Sequence, residues 1–71
     1  LFAALRSLRT KLSAEEGVPP YFVFSDATLT DMAIKHPTTK EEFLSVSGVG
    51  NIKAQKYGEA FISAIKNFPA K

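Results

Sequence analysis

Three clusters in this sequence have residue types and spacings suited to chemistry, and in each the chemistry is holding a ligand rather than breaking a bond. Ser47-Gly48-Val49-Gly50 lies between the apolar segment 42–46 and the helical pattern 51–68. Two glycines around one apolar residue permit a tight turn with left-handed backbone, its N–H groups outward and Val49 inward. Outward amides followed at once by a helix N-terminus make a seat for one phosphate oxygen, so Gly48 and Gly50 are candidate phosphate contacts in a helix-hairpin-helix element. The same turn also serves as a plain connection between helices. Lys53 and Lys56 follow it with no acid until Glu59, and Arg6, Arg9 and Lys11 stand together with no acid until Glu15. Tyr21 comes directly after Pro19-Pro20, a rigid pair able to hold its ring outward as a platform for an unpaired base. The alternative is a ring packed on a helix end with its hydroxyl in water.

Bond-making chemistry finds no such support. His36 is the single histidine, and without a cysteine, a second histidine or a carboxylate at ligand spacing it reads as a helix C-terminal residue rather than a metal ligand or base. Met32 reads as core filling. Glu41-Glu42 resembles an acid/base pair only on paper, because neighbours on a helix point about 100° apart and no nucleophile accompanies them. The expectation is no catalytic residue, no metal and no cofactor.

The elements that must position these groups are helical. Leu1, Leu5, Leu8 and Leu12, with Phe2 alongside, recur every three or four residues and predict a first helix over 1–16, with Arg6, Arg9, Thr10 and Ser13 facing away. Gly17 and Pro19-Pro20 end it. Tyr21-Phe22-Val23-Phe24 has strand propensity but no partner strand, so an extended or single-turn connector is expected, with Phe22 or Val23, and Phe24, plugging the core. Ser25 or Asp26 caps a helix to about His36, with Leu29, Met32 and Ala33 inward, and Pro37 ends it. Thr39 with Glu42 three residues on is a capping-box arrangement for a short helix that drives Phe43, Leu44 and Val46 inward. The last helix has Ile52, Gly58, Phe61, Ile62, Ile65 and Phe68 inward and Tyr57 at the margin, with Pro69 as its stop. Gly58 needs a reason inside a helix, and close approach of a neighbour is favoured over a break.

Seventy-one residues make one domain, 1–71, with room for a single core. The formal charge of +2 favours an anionic partner only weakly, and no apolar run approaches the ~20 residues of a membrane helix. The absence of cysteine fits a reducing, cytoplasmic setting, and a monomer is expected. Leu1 begins inside a helical pattern with no initiator Met, so the chain reads as a piece of something longer.

In combination these segments carry a resemblance. Leu1-Phe2-x-x-Leu5-Arg6-x-Leu8-Arg9, Val18-Pro19-Pro20-Tyr21-Phe22-Val23-Phe24-Ser25-Asp26-x-Thr28-Leu29, Phe43-Leu44-x-Val46-x-Gly48-Val49-Gly50 and Lys56-Tyr57-Gly58 together resemble the HRDC domain, the helicase and RNase D C-terminal module. The version at the C-terminal end of bacterial RecQ DNA helicases is the most similar. The resemblance implies an all-α, small orthogonal bundle of about five short helices with a helix-hairpin-helix-like element. It implies an auxiliary domain without catalysis that helps tether a helicase to DNA near the nucleoid. Some members hold single strands through a basic face near the first helix and the Pro-Pro-aromatic loop; others serve protein contacts, such as docking on the helicase core. By this resemblance Tyr21 occupies the family's exposed aromatic position, and the residues then suggest weak, largely sequence-independent binding of single-stranded DNA, with Tyr21 stacking and Arg6, Arg9, Lys11, Lys53 and Lys56 toward phosphates.

Overall fold

In the computed structural model, which describes residues 1–68, the chain forms five helices and, among those residues, no strand: α1 (Phe2–Glu16), α2 (Pro20–Val23), α3 (Asp26–Lys35), α4 (Lys40–Leu44) and α5 (Asn51–Asn67). The all-α expectation holds. The expected stop at Pro69 lies outside the described residues.

The local stop and start signals act much as their chemistry dictates. Gly17 closes α1 in the left-handed region at φ 70°, its N–H bonded to the Ala14 carbonyl and that of Val18 to the Ser13 carbonyl. Pro20 occupies the first position of α2, where its missing N–H costs nothing, so Tyr21 to Val23 complete one helical turn instead of the strand their propensities favour. Ser25 caps α3 by accepting the Thr28 N–H at 3.2 Å. His36 ends that helix with a left-handed φ of 54°, its N–H on the Met32 carbonyl. Thr39 caps α4 by accepting the Glu42 N–H at 3.1 Å, but the return arm of the box is shifted by one residue: the Glu42 carboxylate accepts from the Thr38 N–H at 2.9 Å.

Phe24 is the centre of the core. Its ring meets Phe43, Tyr57 and Phe61 edge to face, with centroids 5.9, 5.9 and 5.2 Å away, while Leu5, Val23, Leu29, Met32 and Ile65 close the space around them. Gly58 faces Phe43, as close packing predicts. A Cβ there would lie 3.6 Å from the Phe43 ring, an ordinary contact, so the glycine eases the crossing without being sterically compelled.

Several expected facings are corrected. On α1, Arg9 and Ser13 are buried, while Leu8 and Leu12 are only half-buried. This helix packs against α2, α3 and α5, so its covered arc is wider than the leucine stripe and takes in Arg9. On α5 the covered residues are Ala54, Tyr57, Gly58, Phe61 and Ile65. Ile52 lies about 200° around the helix from Ala54 and is 80% exposed. Leu44 and Phe68 also sit at the surface, and Tyr57 is core rather than margin.

Two carboxylates tie helices together and a third closes the cap of α4, and each is held below its ordinary range. The Tyr57 hydroxyl donates to Glu16 at 2.7 Å, and with Lys56 at 3.2 Å it binds the end of α1 to α5. The Ser47 N–H donates to Asp31 at 2.8 Å, with Lys35 beside it, so α3 holds the hairpin. The Thr38 N–H does the same for Glu42. A carboxylate whose folded pKa is depressed contributes stability that is fully present above its unfolded value and is lost as pH falls through the folded one. Melting temperature is therefore expected to hold from pH 7 down to about 4.5 and then to drop, because all three groups protonate below the usual carboxylate range. Glu16→Gln removes part of that drop; thermal melts at pH 7 and about pH 3 on both proteins check it, and an equal acid loss in the two would refute the tie to Tyr57.

Candidate nucleic-acid interface

The connector between α1 and α3 carries the most exposed aromatic surface among the described residues. Tyr21 is 66% exposed and Phe22 is 53% exposed, their rings packed edge to face with centroids 5.2 Å apart. Their exposure follows from the one-turn α2: Val23 and Phe24 take both inward places, and Tyr21 and Phe22 remain outside as a pair that stiffens itself. Phe22 was among the residues expected to plug the core. Val23 at the end of the turn and Phe24 in the extended cap after it take the inward places instead, so Phe22 stays outside.

Beside this pair runs a groove of about 310 Å³ lined by Arg9, Pro20, Tyr21, Ser25 and Asp26. Arg9 enters it from α1 with a side chain only 8% exposed. One guanidinium nitrogen, Nη1, donates both to the buried Phe24 carbonyl at 3.1 Å and to the Asp26 carboxylate at 2.7 Å. The expectation that Arg9 faces solvent is thus corrected: the backbone carbonyl at the end of α2 needs a donor where no main-chain N–H reaches it, and Arg9 supplies one. Arg6 stays exposed on the outer face of α1, three residues from Arg9 and so next to it along the helix, in a shallow groove with Phe2, Ala3, Ser7 and Thr10.

The remaining candidates divide. Lys11 is exposed but lies five residues from Arg6, about 140° around α1, and so belongs to another face. Lys53 is half-buried with its ammonium 5.9 Å from the Phe24 ring centroid, which sets it against the same residue whose carbonyl Arg9 holds. Lys56 is engaged with Glu16 at 3.2 Å and lies 5.5 Å from the Tyr57 ring centroid. In the hairpin, Gly48 has φ 86° and Gly50 the extended values of a helix N-cap, φ −99° and ψ 171°. The Ser47 N–H already holds Asp31, and the Val49 N–H holds the Val46 carbonyl. An anionic side chain of the protein itself therefore holds one amide of this turn, that of Ser47. Neither glycine lines the Tyr21 groove.

Asp26 is the participant that sequence reasoning missed; it read as a cap, and its tie to Arg9 spans 17 residues. Among the described residues no three His, Cys, Asp or Glu side chains gather as a metal site, and no helix is long and apolar enough to cross a membrane.

Five helices, a glycine hairpin with left-handed backbone at Gly48 and an exposed aromatic pair beside an arginine define a small all-α module. The HRDC domain model matches residues 1–65, and the chain belongs to the HRDC family. It is 46% identical over 99% of its length to the ATP-dependent DNA helicase RecQ of Haemophilus influenzae and 47% identical over 96% to that of Bacillus subtilis. It spans only 11% and 12% of those proteins. In structure it is similar to D. radiodurans RecQ HRDC domain 3, with TM-score 0.89 and 38% identity, covering 92% of this chain and 86% of that one.

Proposed function

We propose that this domain is an auxiliary module of a RecQ-type ATP-dependent DNA helicase that binds single-stranded DNA weakly, with little sequence preference and with no catalysis of its own. The observation that carries this reading is the Tyr21–Phe22 pair, two exposed rings fixed on a proline-started turn at the edge of a groove with an arginine in it. A base stacks on Tyr21, and Arg6 and Lys53 meet the flanking phosphates, while Arg9 holds the connector in place. Lys11, Lys56, Gly48 and Gly50 lie outside this minimal set. The domain acts as a monomer within a longer helicase of the cytoplasm and nucleoid, whose ATP hydrolysis resides elsewhere in that chain.

Tyr21→Ala is expected to lose about 1–3 kcal/mol of single-strand affinity with little change in melting temperature, and Tyr21→Phe to keep both, because stacking uses the ring. With two or three phosphates engaged, the log–log salt slope is about −1.4 to −2. Titration of a labelled oligo(dT) at two salt concentrations, with melts on the same proteins, checks both. Unchanged affinity in a normally folded Tyr21→Ala would sink the stacking role.

A second reading, docking on the helicase core or another protein, would use the exposed apolar side chains Ile34 on α3 and Ile52 on α5, which are 75% and 80% exposed. It predicts that Ile34→Ser and Ile52→Ser weaken attachment to the core while leaving oligonucleotide affinity intact.

A further inference from the structure

We infer that Asp26 is a built-in competitor for DNA phosphate: its carboxylate occupies the guanidinium of Arg9 in the Tyr21 groove and keeps the domain's affinity for single strands low. The inference rests on the single-strand reading above and names what limits it.

Three observations support it. Asp26 is not part of the packing, since its side chain is 69% exposed while that of Arg9 is 8% exposed. The carboxylate therefore lies on the solvent side of the guanidinium, with Oδ1 on Nη1 at 2.7 Å. The same two residues line the groove whose edge is Tyr21, so a nucleotide stacked on that ring carries its phosphate toward this pair. Nor is Asp26 needed as a cap, because Ser25 already accepts the Thr28 N–H. A carboxylate and a phosphate offer the same guanidinium the same kind of oxygen acceptor, so only one of them holds Nη1 at a time. Removing the carboxylate leaves Nη1 on the Phe24 carbonyl and opens its second direction to the ligand. The repulsion between Asp26 and an incoming phosphate disappears as well.

The test is oligo(dT) titration of the 71-residue chain and of Asp26→Asn, Asp26→Ser, Asp26→Glu and Glu59→Gln at two salt concentrations, with Tyr21→Ala alongside. Asp26→Asn keeps the side-chain shape and removes one charge; Asp26→Ser suits the first helical turn and serves if the amide variant folds poorly. Both are expected to bind about fivefold more tightly, the factor carried by one unit-charge interaction at about 4 Å in water. Their salt slope should steepen by about 0.7, one further phosphate on a single strand. Asp26→Glu should stay near the parent. Glu59→Gln controls for net charge, because Glu59 lines a different groove, with Lys40 and Lys66. An Asp26→Asn affinity that is unchanged, lowered, or raised no more than in Glu59→Gln overturns the inference, as does the absence of binding in every variant. If Tyr21→Ala loses affinity while Asp26→Asn gains none, the competitor role falls and the stacking role stands. If Asp26→Asn gains while Tyr21→Ala binds like the parent, the reverse holds.

Discussion

Gly48→Val is expected to destabilise the domain by about 2–4 kcal/mol, whereas Gly50→Val, two residues away, should change stability by less than about 1 kcal/mol. Gly48 has φ 86°, a conformation that costs an L-residue roughly 1–2 kcal/mol and a β-branched one more. A Cβ there would also overlap the Thr28 hydroxyl, and that residue is buried on α3 with its Oγ1 engaged to the Ser25 hydroxyl. Relief requires moving either the hairpin or α3, and overpacking of this kind costs about 1–3 kcal/mol. Gly50 has ordinary extended backbone and open space around the Cβ position, so Val there loses only the mild preference of glycine for a helix N-cap. A domain of this size has a total stability of roughly 4–10 kcal/mol, so Gly48→Val should be visibly less stable, if not largely unfolded, at room temperature. Urea titrations of both variants decide the matter. Equal midpoints for the two would show that the hairpin does not depend on a left-handed residue at 48.

Arg9→Ala is expected to cost about 2–3 kcal/mol, a large effect for an arginine. Most surface ion pairs contribute little, and the Asp26 half of this one is exposed, so the carboxylate is not the source of the effect. The source is the Phe24 carbonyl. It is held at 3.1 Å by Arg9 inside the core, and a buried acceptor deprived of a charged donor loses about 1.5–3 kcal/mol. The arginine stem also fills the space between α1 and the connector, so truncation removes packing as well as charge. Arg9→Met restores the stem and not the bond, and should recover less than half the loss. Asp26→Asn should cost under about 1 kcal/mol. Thermal melts of the three variants test the division. A loss in Asp26→Asn as large as in Arg9→Ala would mean that the ion pair, not the carbonyl, is what matters. Among the described residues the buried Nε of Arg9 has no hydrogen-bond partner, a cost that the Nη1 bonds and the packing of the stem must outweigh.

What the sequence determined by itself is local. Gly17, Pro20, Ser25, Thr39 and the glycine hairpin mark every boundary between the helices, because backbone freedom and the capping of orphan N–H groups depend on a residue and its near neighbours. The core aromatics Phe24, Phe43 and Phe61 were legible too, because a chain this short must bury its large apolar rings to form a core, although the same argument placed Phe22 and Phe68 inward and the structure leaves both at the surface. So was Tyr21 as the outward ring, given the proline pair before it. The facing of a helix packed against three others is a different kind of fact. Periodicity finds one stripe, but α1 is covered by α2 and α3 as well as α5, and the covered arc therefore takes in Arg9. Likewise, six basic residues at 6, 9, 11, 35, 53 and 56 look equivalent in the chain. Only the tertiary structure sorts most of them, because Asp26 and Glu16 neutralise Arg9 and Lys56 across sequence separations of 17 and 40 residues, whereas Asp31 and Lys35 are an i,i+4 pair within α3 that the sequence already places together. Such pairs form where helices happen to cross, and a charge that meets its partner through the fold rather than along the chain leaves no local pattern to read.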